Sequence, residues 1–194
     1  MDNVKVDQLI YKLRKEKNFT QLDIATSLGI SDKAISKWER GLSALDISLL
    51  PDLSRILDVD LERLLSGEIL ENELSTGNLK KSHFYVCKTC GNIVVSTTET
   101  PVSCCGKRLS PLKTKKANEE EKLTIEKIDN EYYLLSNHSM TKDHYVSFVA
   151  LLTGDSLLMR KLYPEWDLSL RLPFFPHCLV LWYCTKDGLY YQSI

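Results

Sequence analysis

The spacing of hydrophobic residues changes partway along the chain. Up to residue 67 they recur every three or four positions, which predicts short amphipathic helices. From about residue 83 they alternate with polar residues and are rich in β-branched and aromatic types, which predicts strands joined by turns such as Thr-Gly-Asp and Lys-Asp-Gly. Residues 68–82 have weaker periodicity and are interpreted as a linker or a frayed helix. The chain therefore divides into an α part and a β part.

The α part is expected to form five helices. Thr20 can cap the second, with Asp23 at the reciprocal position of a capping box, and Ser31 can cap the third. The predicted helices cover about 6–13, 20–29, 31–41, 48–57 and 60–65. Short helices joined by tight turns predict one compact helical domain over residues 1–67.

The β part is expected to hold two domains. Four cysteines between residues 83 and 114 indicate a small metal-binding β domain. Residues 115–194 contain a series of short strands and predict an antiparallel β-sandwich of the immunoglobulin-like type. The predicted fold class is thus a multi-domain α and β protein.

Composition narrows the function classes. The chain has 194 residues, of which 43% are hydrophobic and 26% charged, as in ordinary globular proteins. Its first residues lack the apolar core of a secretory signal, and no apolar run is long enough to span a bilayer. We therefore expect a cytoplasmic protein with no membrane partner. In that reducing compartment, six cysteines favour metal or redox chemistry over structural disulfides.

The net charge of −1 is unevenly distributed. The segment 80–116 carries +7, whereas 1–79 and 117–194 carry −4 each. A basic segment of this kind is either a solvated surface or an auxiliary phosphate contact.

The stretch from Thr20 to Gly41, TQLDIATSLGISDKAISKWERG, has the spacing of two helices that cross closely. Ala25 is small at the expected crossing, and Gly29 permits a left-handed turn. The stretch resembles the helix-turn-helix of the Cro/C1-type (Xre) repressor family, over about residues 5–67. The resemblance implies a double-stranded DNA operator, bound by a homodimer at a palindromic site, with the second motif helix in the major groove.

Individual DNA contacts follow from that resemblance. Burial of Ile35 and Trp38 leaves an outward face that carries Asp32, Lys33, Ser36 and Lys37. The resemblance implies base contacts from Ser31, Lys33 and Ser36, and backbone contacts from Gln21 and Lys37. Arg40 is expected to pair with Glu39 or to reach phosphate. The alternative is a helical bundle that has lost DNA binding, which the negative charge of this domain favours.

The four clustered cysteines are Cys87, Cys90, Cys104 and Cys105. A disulfide between adjacent Cys104 and Cys105 would close a strained eight-membered ring, and cross-paired disulfides are unexpected in the cytosol. A single tetrahedral thiolate site accounts for all four. The segment from Tyr85 to Leu112 resembles desulforedoxin, the N-terminal domain of desulfoferrodoxins, which implies iron. The same sulfurs accept zinc, so iron and zinc both remain open.

A second set of candidate ligands lies in the C-terminal region. The stretches Asn137–Leu152 and Trp182–Tyr190 resemble the catalytic domain of desulfoferrodoxin, a superoxide reductase whose iron has four histidines and an axial cysteine. The resemblance implies ligand roles for His138, His144 and Cys184. The other two histidine positions align with Asp187 and with Glu121, or with Leu123 after a shift of two residues.

Three interpretations of this second set follow: a scaffold without metal, a metal site with altered ligands, and an active reductase. Taken together, the patterns predict a transcriptional regulator with a metal-binding, redox- or metal-responsive β half. The rival hypotheses are a superoxide reductase that carries a DNA-binding domain and an interaction module held by structural zinc. Enzymatic activity is left open.

Overall fold

The computed structural model describes residues 3–69 and 77–194, which fall into an N-terminal helical unit and a C-terminal β unit. Part of the predicted linker, at 70–76, lies outside the described residues. No helix among the described residues is long and apolar enough to cross a membrane.

The helical unit contains the five expected helices. They are α1 (Asn3–Glu16), α2 (Gln21–Leu28), α3 (Asp32–Glu39), α4 (Leu50–Leu57) and α5 (Leu61–Ser66). The fourth begins later than predicted because a 3-10 turn, Ile47–Leu49, precedes it. Asp46 caps that turn by accepting a hydrogen bond from the Ser48 backbone N–H at 2.9 Å.

Two predicted caps have different outcomes. The capping box of α2 is confirmed, since Thr20 Oγ1 accepts from the Asp23 N–H at 3.1 Å and the Thr20 N–H donates to Asp23 Oδ2 at 2.7 Å. The expectation that Ser31 caps α3 is wrong for its side chain, which makes no capping hydrogen bond. Asp32 Oδ1 accepts from the Lys33 N–H instead, at 2.8 Å, because a carboxylate one residue later is the stronger acceptor.

The described residues of the β unit form twelve strands. They are β1 (His83–Val86), β2 (Ile93–Ser96), β3 (Val102–Cys104), β4 (Lys107–Leu109), β5 (Thr114–Lys116), β6 (Thr124–Ile128), β7 (Glu131–Leu135), β8 (Val146–Leu152), β9 (Leu157–Lys161), β10 (Ser169–Pro173), β11 (Leu179–Cys184) and β12 (Gly188–Ser193). A five-stranded sheet has the order β5-β12-β11-β8-β9, and a three-stranded sheet has the order β10-β7-β6. The β1-β2 and β3-β4 hairpins are separate two-stranded sheets.

The five-stranded sheet departs from the antiparallel prediction at one edge. There β5 pairs with β12 in parallel. No hairpin connects these two strands, because β5 enters from the cysteine segment, where the Leu112 N–H donates to the Phe84 carbonyl. Strands far apart in sequence are free to pair in either direction.

The five-stranded sheet is covered on both faces. On one face, Val149 of β8 and Trp182 of β11 pack in a core that includes β7 and β10. On the other face, Phe148 and Tyr183 pack against the β1-β2 hairpin, where the Phe84 ring stacks on Phe148 at 5.7 Å. The two-sheet sandwich is therefore present and gains a third layer from the cysteine segment. The immunoglobulin-like type of the sandwich stays a prediction.

Candidate nucleic-acid interface and metal centres

The α2–α3 pair has the geometry expected from the sequence. Gly29 closes α2 in the left-handed region, at φ 68°, and Ala25 is fully buried. Ile35 and Trp38 face the core of the helical unit. On the outward side, Lys33 and Lys37 are exposed. Ser31 and Asp32 are exposed as well, and Ser36 is half-buried. The pattern thus placed the outward face of α3 correctly.

Two of the expected contact residues have other bonds. Gln21 Nε2 donates to Glu39 Oε2 at 2.7 Å. Glu39 does not pair with Arg40, which corrects one of the two alternatives for that residue. The Glu39 side chain points into the helical unit and is 3% exposed, whereas Arg40 lies outside and donates from Nε to the Ser36 carbonyl at 3.0 Å.

The partner of Glu39 is Arg14, which the sequence reasoning missed. Arg14 donates to both carboxylate oxygens, from Nη2 at 2.9 Å and from Nε, and also to the Phe19 carbonyl at 2.9 Å. The hydrogen bond to Glu39 raises the pKa of Arg14 further above its ordinary value. Its sequence signal is its spacing of four from Ile10, which places a cation in the apolar stripe of α1. The pair joins α1 to α3, and Gln21 adds α2 to the network.

The four clustered cysteines come together as predicted. Cys87 and Cys90 lie in the turn after β1, and Cys104 ends β3. Cys105 follows in the left-handed region, at φ 51°, which turns its side chain back towards the others. The four sulfurs lie within 4.8 Å of one another. The Cys90–Cys104 and Cys104–Cys105 sulfur distances are 3.4 and 4.0 Å. Metal–sulfur bonds of about 2.3 Å in a tetrahedron need sulfurs about 3.8 Å apart, so the group fits one ion.

The electrostatics of these thiols also fit a cation. Backbone N–H groups of Cys90 and Thr89 point at the Cys87 sulfur and lower its pKa to about 6. Side-chain hydrogen bonds with Cys90 and Cys87 raise the pKa of Cys105 to about 12. Four thiolates this close repel one another, and a bound cation removes that repulsion. Asn92 Nδ2 donates to Cys104 Sγ at 3.6 Å, as a surrounding residue that helps hold the sulfur in place.

A second cluster forms from distant parts of the chain. His138 and His144 lie between β7 and β8, Cys184 ends β11, and Asp187 lies in the turn to β12. Their ligand atoms are within 4.8 Å of one another. Asp187 Oδ2 is central: it lies 2.8 Å from His144 Nε2, and it accepts from Cys184 Sγ at 3.1 Å. The bond from Cys184 and the bond to His144 lower the pKa of Asp187, while burial raises the pKa of Cys184.

His138 gives the test of whether this cluster suits a metal. Both of its ring nitrogens are buried and have no hydrogen-bond partner among the residues that the structure describes. Its Nε2 lies 3.6 Å from Asp187 Oδ2, beyond hydrogen-bonding range. Buried polar atoms without partners are costly, and a bound ion would remove that cost. Imidazole, thiolate and carboxylate are all competent ligands for iron or zinc.

Glu121 is not part of this compact cluster. Its carboxylate accepts from the Asn118 N–H at 2.9 Å in its own turn. It lines a cavity of about 480 Å³ that His138 and Cys184 also line. The shifted alignment would give Leu123, which is buried and has no donor atom.

Comparisons with known proteins agree with these two units. Residues 10–64 match the helix-turn-helix family model HTH_3. The HTH-type transcriptional activator BcrR of Enterococcus faecalis is 37% identical over 83 residues, which are 41% of this chain and 41% of BcrR. The uncharacterized HTH-type transcriptional regulator YqaE of Bacillus subtilis (strain 168) is 44% identical over 57 residues, 29% of this chain and 49% of YqaE. The chain thus spans less than half the length of either relative.

The β unit has its own structural relative. The superoxide reductase from Treponema pallidum superposes with a TM-score of 0.50 at 17% sequence identity, and the match covers 57% of this chain and 96% of that one. At that identity the likeness concerns the fold. Residues 10–64 therefore match the HTH_3 helix-turn-helix model, and the β unit resembles superoxide reductase in its fold.

Proposed function

We propose that the chain is a sequence-specific DNA-binding transcriptional regulator whose β unit binds metal and transmits a metal or redox signal. The observation that carries the proposal is the pairing, in one chain, of an outward polar face on α3 with two clusters of metal-ligating side chains. The description of BcrR as an HTH-type transcriptional activator supports the first half. A cytoplasmic location belongs to the proposal, because operator binding and reduced thiols both need it.

The DNA-binding surface in this proposal is the exposed face of α3. Ser31, Lys33 and Ser36 meet base edges, Lys37 and Arg40 meet the DNA backbone, and Asp32 lies among them. Gln21 reaches phosphate only if its amide leaves the Glu39 carboxylate. Recognition by a homodimer at a palindromic operator follows the usual arrangement of helix-turn-helix proteins.

The metal part of the proposal assigns an iron or zinc ion to the four cysteines. Iron held there would supply one-electron redox chemistry, and zinc would supply structure alone. Around the ion, Asn92 holds Cys104 and the backbone N–H groups of Cys90 and Thr89 hold Cys87. The cluster of His138, His144, Cys184 and Asp187 is assigned a second metal ion, with Glu121 outside its ligand set.

A second candidate function is a superoxide reductase-type oxidoreductase. The convergence of His138, His144 and Cys184 favours it. Asp187 argues against this function, because the aspartate supplies an anionic carboxylate where desulfoferrodoxins have a neutral histidine imidazole. Peroxide formation from superoxide, lost in Cys184→Ser, would establish this function. Its absence in protein loaded with iron would exclude it.

The proposal is tested with the full chain purified without oxygen. Iron and zinc are counted per chain, an operator is selected from random DNA, and its affinity is measured for the metal-loaded, oxidised and metal-free forms. We expect Cys104→Ser to change metal content and operator affinity together. Cys178→Ala, which removes a buried cysteine outside both clusters, is the matched control. Equal affinity in all three forms would refute signalling, and failure to select any operator would refute DNA binding.

A further inference from the structure

A cavity of about 460 Å³ lies between the Cys87–Cys90 turn and the five-stranded sheet. This volume is in the range of small-molecule sites, about 300–1,000 Å³. The cavity lies beside the four-cysteine cluster and shares Cys87 and Cys90 with it, but its other lining residues belong neither to the DNA-binding face nor to a metal ligand set.

The side chains around this cavity share a chemistry. Three tyrosines, Tyr145, Tyr163 and Tyr183, are among the residues that line it. Lys88 and Lys161 supply positive charge, and Lys161 Nζ lies 5.6 Å from the centre of the Tyr163 ring. The described residues that line the cavity include no carboxylate. The tyrosine rings can stack on a flat ligand ring, and the unopposed lysine charge favours an anionic group on that ring.

Ser147 also lines the cavity, and its hydroxyl group is buried beside the wall. The register of β8 against β11 shifts so that Tyr183 pairs with Phe148 and Cys184 with Val146, which leaves Ser147 as the extra residue of a β-bulge. Its Oγ is buried and has no hydrogen-bond partner among the described residues. Bulges often redirect a side chain beside a functional site. Rotation about χ1 would turn this hydroxyl towards the cavity, where a ligand oxygen would satisfy it.

We propose that this cavity binds a small aromatic anion, a ring system of one or two fused rings with a carboxylate or phenolate group. The rings lie among Tyr145, Tyr163 and Tyr183. The anionic group faces Lys161 at the rim, and one ligand oxygen accepts from Ser147. This binding is independent of operator recognition.

The cavity lies beside both metal-ligand clusters, so the metal content of the protein has to be fixed in a binding experiment. Its wall includes Cys87 and Cys90 of the four-cysteine cluster. Tyr145 and Thr185 also line it, and the Thr185 N–H donates to the Tyr145 carbonyl at 3.0 Å. These two residues follow His144 and Cys184 directly in the sequence. Because metal binding holds both neighbouring clusters in place, binding is measured on the zinc-loaded full chain.

The probe is 2-naphthoate, compared with neutral 2-naphthalenemethanol and cationic 2-naphthylmethylammonium by isothermal titration calorimetry. We expect naphthoate to bind most tightly and the cation least tightly. Because Lys161 is exposed, Lys161→Met should weaken naphthoate by about two- to fivefold and leave the neutral probe unchanged. Arg160→Met, a cation on the opposite face of the same strand, is the matched control and should change neither probe.

Ser147→Leu adds bulk at the cavity wall and should weaken binding of naphthoate and of the neutral probe, with circular dichroism checking that the variant folds. Absence of binding by all three probes would overturn the proposal. So would equal affinity for all three probes, or an equal effect of Arg160→Met and Lys161→Met.

Discussion

Replacing Arg14 by methionine should destabilise the helical unit strongly. Methionine keeps an unbranched apolar stem in the α1 stripe but removes the charge opposite Glu39. The two side chains are 5% and 3% exposed, so the remaining carboxylate would be buried without its cation. Removing one partner of a buried pair costs about 3–5 kcal/mol. In a domain of this size, that cost lowers the melting temperature by about 12–40 °C.

The structure provides a direct assay for this effect. Within the described residues, all α-helices belong to the helical unit. The circular dichroism signal at 222 nm therefore follows its melting with little contribution from the β unit. Arg55→Met is the matched control, because the Arg55 side chain is 79% exposed and its pair with Asp52 is a surface contact worth about 0–1 kcal/mol.

A double variant separates loss of packing from the unpaired charge. Arg14→Met combined with Glu39→Met removes both partners, and we expect it to recover most of the lost stability. A melting temperature for Arg14→Met within about 4 °C of the wild type, as expected for a loss of only about 1 kcal/mol, would refute the reasoning. A double variant no more stable than the single one would show that the cost comes from packing.

Four further substitutions test the roles of charge and metal. Lys37→Ala should weaken operator binding and lower the slope of log K against log salt concentration by about the amount expected for one phosphate contact. Lys33→Ala should reduce the preference for the correct base at one operator position by about 1–3 kcal/mol. Binding titrations at several salt concentrations check both predictions. Cys104→Ser should lower metal content per chain, as measured by elemental analysis, because three sulfurs leave the tetrahedron open. The hydrogen bond from the Thr20 N–H lowers the pKa of Asp23 below 3.8. The stability of the wild type relative to Asp23→Asn should therefore be greatest above pH 3.8 and should decrease as the pH falls through the lowered pKa. Melting curves recorded at a series of pH values would check this.

The sequence predicted best what depends on local chemistry. The five helices, the Thr20–Asp23 capping box and the turn at Gly29 follow from spacing and residue type, so short windows of sequence were sufficient. The cluster of Cys87, Cys90, Cys104 and Cys105 could be predicted equally well. Each pair is already close in sequence, so only one tertiary contact between the two turns is needed to form the cluster.

Contacts between distant residues could not be predicted. Nothing near Arg14 in the sequence indicates that its partner lies 25 residues away, on a different helix. The parallel pairing of β5 depends on where the cysteine segment packs, which periodicity does not encode. The bulge at Ser147 adds one residue to a strand, and alternation along that strand alone does not reveal it.

Because the cysteine segment forms the third layer of the β unit, it cannot be deleted without exposing the core of the sandwich. The cysteine segment looks like an independent module in the sequence, yet its Phe84 ring covers Phe148, which in turn stacks on Tyr183 at 5.8 Å. A truncated β unit that begins after residue 114 would expose this aromatic face to water and would invite aggregation. For the same reason the cysteine segment and the sandwich should unfold together, in one cooperative transition, so that loss of the metal would be felt across the whole unit.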